Sequence, residues 1–223
     1  TLGEGDPFKL LGLLGDYKLI MDAGIEKILS QARSKIRAIL RAKPHYSAAE
    51  LITQFKTHIW GIMQIHHGSI FHASNHLIDR FDTSQRHFLE NLDVDERYAF
   101  LEQNFAPPSL RRNICVFGLL HKRVLGISHP IFQHLLPFHA DVFGSLHQGE
   151  HTRQLYGHVF IVQAQHSLHA RSIFGMVYVY NRLPQELVDS ATIASFQSGL
   201  THMARKLCQN GDPNWSKAFS CRD

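Results

Sequence analysis

Between Ala23 and Lys43 the apolar residues Ile25, Ile28, Leu29, Ala32, Ile36, Ile39 and Leu40 recur at spacings of three and four, and Pro44 stops the run. That spacing predicts an amphipathic helix ended by proline. Ser47-Ala48-Ala49-Glu50 is a capping box, in which hydroxyl and carboxylate satisfy backbone N–H groups that would otherwise lack partners. It opens a second predicted helix through Leu51, Ile52, Phe55, Ile59, Ile62 and Met63, and a third runs from Asn75 to Glu90. Asp93-Val94-Asp95-Glu96 offers an acidic cap for a fourth helix, ended by Pro107 and Pro108, and Ser109 is expected to cap a fifth that stops at Gly126. From Pro130 to Arg171 the periodicity weakens: Ile131 to Leu136 reads as a turn or two of helix, and Gln154 to Gln163 is compatible with a strand. After the apolar stretch Ile173 to Tyr180 and the break at Leu183-Pro184, a last helix starts at Thr192 and uses Phe196, Leu200, Met203 and Leu207. At the other end, glycine and proline around Phe8 to Leu14 suggest a short strand or hairpin. The expected fold is mainly α: a helical bundle with a short N-terminal β hairpin and a helical C-terminal extension.

Charge singles out the first helix. The chain has a net charge of +4, yet Lys27 to Lys56 alone holds four Lys and three Arg against one Glu. The remainder is therefore slightly acidic. Arg33, Arg37 and Arg41 lie four residues apart on one helical face, with Lys35 and Lys43 nearby. Guanidinium groups presented this way suit phosphates, which they grip through paired hydrogen bonds. A solvated basic surface is the plainer reading of the same stripe. Trp60 or Tyr46 beside it would suit base stacking if exposed, although aromatics in an apolar pattern usually belong to a core.

Other chemistry is poorly represented. Cys115, Cys208 and Cys221 are odd in number and widely spaced, which favours neither a disulfide framework nor a cysteine zinc site and suits a reducing, intracellular setting, nucleus or cytoplasm. No apolar run reaches bilayer length, so no membrane partner is expected. Walker, G-x-G-x-x-G and G-x-S-x-G patterns are absent, as are paired carboxylates beyond the capping pair Asp93 and Asp95, so no catalytic residue is assigned. His66, His67, His72 and His76 form the densest part of a histidine-rich chain, and His72-x-x-x-His76 would share a helix face suited to zinc. Without a cysteine, an H-E-x-x-H pattern or a carboxylate closer than Asp79, structural histidines are the preferred reading and no metal ligand is assigned.

Several segments, taken in order, resemble the C-terminal part of a non-LTR (LINE-type) retrotransposon reverse transcriptase. Phe8-Lys9-Leu10-Leu11-Gly12-Leu13 is similar to the F-K-Y-L-G-V element at the end of the palm, with Leu10 in place of the aromatic. Ile78-Asp79-Arg80-Phe81…Gln85-Arg86-His87-Phe88-Leu89 resembles the segment ending Q-R-x-F-L, and Ser109-Leu110-Arg111-Arg112…His121-Lys122…Gly126 the R-R…Y/H-K…G helix. The ending Arg171-Ser172-Ile173-Phe174…Tyr180-Asn181-Arg182-Leu183-Pro184…Ser195-Phe196-Gln197…Leu200 resembles R-S-F…W-N-x-L-P…S-F-K…L, with Tyr180 for Trp and Gln197 for Lys. Each motif is short, and the specificity lies in their order.

The resemblance implies an end-of-palm segment at residues 1–20, a basic thumb-like helical domain at 21–126 and a helical C-terminal extension at 127–223. Phe8, Leu11 and Gly12 would form a primer-grip-like edge, and Lys27, Arg33, Lys35, Arg37, Arg41 and Lys43 would contact the phosphates of an RNA–DNA or DNA duplex. The polymerase aspartates, and the Mg²⁺ they hold, would belong to palm and fingers upstream in the same polypeptide; no Asp-Asp pair occurs here and the first residue is Thr1, as expected of a piece of a longer chain. No cofactor is expected in this chain, which would not polymerise DNA alone. The alternative is a structural or protein-interaction remnant of such a polymerase, without nucleic-acid function.

Overall fold

The computed structural model describes residues 8–10, 13–15, 18–139, 152–156 and 167–222, and they are mainly helical. Two compact units, Thr1–Arg112 and Asn113–Asp223, divide the chain. The division falls inside a helix, whereas the sequence places the end of the middle domain at residue 126, where that helix stops.

In the first unit, strands β1 (Phe8–Leu10) and β2 (Leu13–Gly15) pair antiparallel, and α1 (Asp22–Arg41) follows. Then come α2 (Ala48–His58), α3 (Trp60–Gln64), α4 (His67–Ile70), α5 (Asn75–Asn91) and α6 (Glu96–Gln103). Helix α1 packs on α2, α3 and α5, burying Ile25, Leu29, Ala32 and Ile36, the face its periodicity predicts. At the centre Phe55 lies 4.7 Å from Phe88 and 5.1 Å from Phe105, ring centre to ring centre, and all three are buried. Burying a large aromatic side chain contributes about 1.5–3 kcal/mol, so this trio anchors α2 to α5 and the segment after α6.

Local signals are largely realised. Ser47 accepts from the Glu50 backbone N–H while Glu50 accepts from that of Ser47, and Asp95 caps α6 by accepting from Tyr98 N. Three expectations need correction. The second helix is interrupted at Ile59, although its N–H still reaches Phe55 O, and the interruption sets Trp60 on Phe105. Helix α6 ends at Gln103, ahead of the prolines, because Asn104 takes the left-handed conformation (φ 50°) and the chain turns there. Finally, α7 (Pro108–Val124) begins on a proline, a residue suited to the first helical position. Ser109 is not its cap; its N–H donates to Asp82 Oδ1 at 2.9 Å.

The second unit comprises the rest of α7, α8 (Ile131–Leu135), α9 (Ser167–Ala170), α10 (Ile173–Tyr180), α11 (Gln185–Val188) and α12 (Ile193–Gln209). Helix α7 closes at Gly126 (φ 74°), where Gly126 N reaches Arg123 O and Ile127 N reaches Lys122 O, as in a glycine-terminated helix. Its buried His121 ring stacks on Phe196 with centroids 4.0 Å apart. Nε2 lies 2.9 Å from the Ser190 carbonyl and Nδ1 3.1 Å from the Tyr180 hydroxyl. Since a carbonyl only accepts, Nε2 carries the proton and Nδ1 accepts from Tyr180. Burial lowers the His121 pKa, which agrees with this neutral form.

Asn181 holds residue 155 from both sides: Leu155 N donates to Oδ1 at 3.0 Å and Nδ2 donates to Leu155 O at 2.8 Å. Leu155 also bridges Phe138, and this isolated bridge is the strand-like pairing described in the region where a strand was expected; residues 157–163 of that region lie outside the described ones. Gly175 lies so close to α9 that a Cβ would sit 1.9 Å from Ala170 O, which excludes any side chain there. Replacing Asn181 by Leu strands both backbone groups of buried Leu155 and is expected to destabilise the second unit by about 2–4 kcal/mol. Urea denaturation followed through Trp215 fluorescence in a Trp60→Phe background measures it.

Candidate nucleic-acid interface

Helix α1 has two unlike sides. Its apolar face is the wall of the first unit's core, and the opposite side carries Lys27, Lys35, Arg37 and Arg41, all exposed and with no ion pair among the described residues. From Lys27 to Arg41 the helix rises about 21 Å at 1.5 Å per residue. Arg41 stands in the last turn, where a cation also offsets the helix dipole by about 0.3–1 kcal/mol.

Two of the six expected contacts are engaged within the fold. Arg33 is half-buried and its Nη1 lies 3.0 Å from Glu26 Oε1. Glu26 is also bonded by Arg80 of α5, and Arg80 reaches Asp22 at 3.5 Å, so α1's own acidic residues are neutralised along this flank. Lys43 donates to Asn91 O at 2.5 Å and lies 3.2 Å from Asp93, tying the turn after α1 to the end of α5. Such exposed pairs stabilise by about 0–1 kcal/mol each, little enough for a stronger anion to compete for either cation.

Lys56, the last cation of the basic region, is turned inward: it bonds Gln103 O and its ammonium lies 5.7 Å from the Trp60 ring centre. Burial, with Arg111 close by, pushes its pKa down. Trp60 is engaged within the fold rather than offered for base stacking: its ring stacks on Phe105 at 5.4 Å and carries the Arg111 guanidinium at 3.3 Å. Tyr46, 53% exposed beside the Lys43–His45 turn, is open to such a role.

Between α1 and α3 runs an open groove of about 430 Å³, with Gly61, Ile62 and Ile65 on one side, Lys27 and Gln31 on the other, and His66 at its end. Sequence reading missed it because Gly61 and Gln31 carry no charge and sit inside helical patterns; only the crossing of the two helices brings them together.

The histidine segment is divided between core and surface. His72 lies in the turn before α5, bonded to Leu19 O at 3.1 Å, so it does not share a helix face with His76, whose Nδ1 is 3.1 Å from Ser74 Oγ. His67 is buried, its Nε2 has no hydrogen-bond partner among the described residues, and burial with the charges of Arg112 and Arg111 lowers its pKa to about 3. No group of three or more His, Cys, Asp or Glu among the described residues is placed to hold a metal ion. Of the primer-grip-like residues, Phe8 lies in β1, while Leu11 and Gly12 lie outside the described residues. No helix among the described residues is long and apolar enough to cross a membrane.

No family model, curated protein or solved structure matches the chain.

Proposed function

We propose that this chain binds and positions a nucleic-acid duplex as the C-terminal, non-catalytic part of a non-LTR retrotransposon reverse transcriptase, the active site being supplied by palm and fingers elsewhere. One observation carries the binding part: α1 presents Lys27, Lys35, Arg37 and Arg41 to solvent without acidic partners among the described residues, on a helix whose other face is fixed in the core. A cationic helix surface fixed on the fold suits a phosphate backbone, and contacts of this kind are indifferent to sequence and sensitive to salt. The order of short motifs along the chain supports the retroelement origin. Arg33 and Lys43 take second place, because binding through them requires exchange of an internal partner.

The test is fluorescence anisotropy with an RNA–DNA primer–template and the Lys35→Glu/Arg37→Glu/Arg41→Glu variant. Affinity is expected to fall at least about a hundredfold near 50 mM salt, with the salt dependence flattened by about three cations' worth. Unchanged binding would remove the role given to α1.

A second reading, a structural remnant, is favoured by the motif residues themselves. Gln85, Phe88, Leu89, His121, Tyr180, Asn181, Phe196 and Leu200 are all buried, serving the fold whether or not nucleic acid is bound. A duplex-binding failure combined with a normally folded chain would select it.

A further inference from the structure

Resting on the duplex-binding reading, we propose that the groove between α1 and α3 seats the sugar–phosphate backbone of one strand, with Lys27 as the phosphate ligand and Gly61 as the residue that keeps the groove open.

Gly61 lies inside α3, and a Cβ built there would meet no atom within 4 Å. Packing therefore does not require glycine at this position, and a glycine within a helix is unfavourable by about 1 kcal/mol relative to alanine. What its missing side chain provides is space on the groove side, where a polymer backbone can approach the helix closely.

The groove's lining is matched to an anion. Among the described residues Lys27 and His66 are its chargeable groups and no acidic side chain lines it, and Gln31 adds an uncharged hydrogen-bonding group one turn along α1. Lys27 has no ion pair among the described residues, and its charge, after burial, is the second cause holding His66 below its ordinary pKa. Lys27 therefore carries the groove's charge at neutral pH, and His66, held neutral, adds a ring nitrogen that can hydrogen-bond a phosphate oxygen. Ile65 stands on the lip and is 76% exposed, an apolar surface of a size to lie against a sugar. Lys35 follows Gln31 by four residues on the same flank of α1, so a strand leaving the groove along the helix meets a further cation.

Two single variants test this against the Lys35/Arg37/Arg41 charge reversal, all measured by anisotropy on the same RNA–DNA duplex. Gly61→Leu fills the groove and is expected to weaken binding at least tenfold while thermal melting stays at or above that of the parent chain. Lys27→Met, an exposed position that does not endanger folding, is expected to reduce the salt slope by about one. If both variants bind with the parent's affinity and slope while the charge reversal abolishes binding, α1 binds the duplex elsewhere and the groove proposal is overturned. If the parent chain itself does not bind, the duplex reading fails and takes the groove with it. Should Gly61→Leu unfold, the Lys27→Met slope decides.

Discussion

Replacing Arg112 by methionine is expected to destabilise the first unit by about 3–5 kcal/mol, a large share of the roughly 5–15 kcal/mol that holds a domain folded. The Arg112 side chain is 3% exposed and has one carboxylate within reach among the described residues, Asp82, with Nη2 3.8 Å from Oδ2. Among the described residues its Nε and Nη1 and the Asp82 Oδ2 lack hydrogen bonds. The arginine therefore bears a large desolvation cost, which pushes its pKa down, and the charges of Asp82 and Asp79 offset only part of it. Removing the guanidinium leaves the partly buried Asp82 charge without this partner while its Oδ1 still serves Ser109 N. The double variant Arg112→Met/Asp82→Asn removes both charges and keeps an acceptor for Ser109, and should recover at least half of the loss. In a Trp215→Phe background Trp60 is the remaining tryptophan, so its fluorescence in urea follows the first unit. Equal losses in single and double variants would show that Arg112 acts through packing rather than charge.

The second large effect is acid sensitivity of the same unit. His67 titrates near 3 when folded and near 6.5 when unfolded, so the folded state binds the proton less well. The stability held in its neutral form is complete above about pH 6.5 and is lost as pH falls towards 3, reaching about 2 kcal/mol of loss at pH 5. Burial is the main cause, joined by the charges of Arg112 and Arg111, and no partner at Nε2 among the described residues offsets it. His67→Leu should abolish most of the slope between pH 6.5 and 5, a range above the ordinary carboxylate titrations. Urea midpoints at the two pH values, read through Trp60, check this; a slope retained in the variant would place the acid sensitivity on another group.

What the sequence could reveal was local. The apolar rhythm from Ile25 to Leu40 ends at Pro44, and α1 ends at Arg41; Ser47 and Glu50 form their box; Thr192 caps α12 by accepting from Ser195 N. What it could not reveal depends on residues far apart in the chain. Arg33 and Arg37 look equivalent in a helical repeat, but Arg33 faces Glu26 and the arginine of α5, while Arg37 faces solvent. Lys43 finds Asp93 fifty positions later. His121, a polar residue in an apolar stretch, becomes core because Tyr180, Ser190 and Phe196 close around it. Trp60 is the same lesson at a ring face: periodicity places it beside basic residues, and only the tertiary fold lays Phe105 and Arg111 over it.

The most direct test of duplex binding is the affinity of the unmodified chain for an RNA–DNA primer–template across 50–200 mM salt. With Lys27, Lys35, Arg37 and Arg41 each engaging a phosphate, log affinity should fall against log salt with a slope of about −3 to −4. A slope near zero, or no binding at the lowest salt, would contradict a phosphate-binding role for α1 and turn the search towards protein partners.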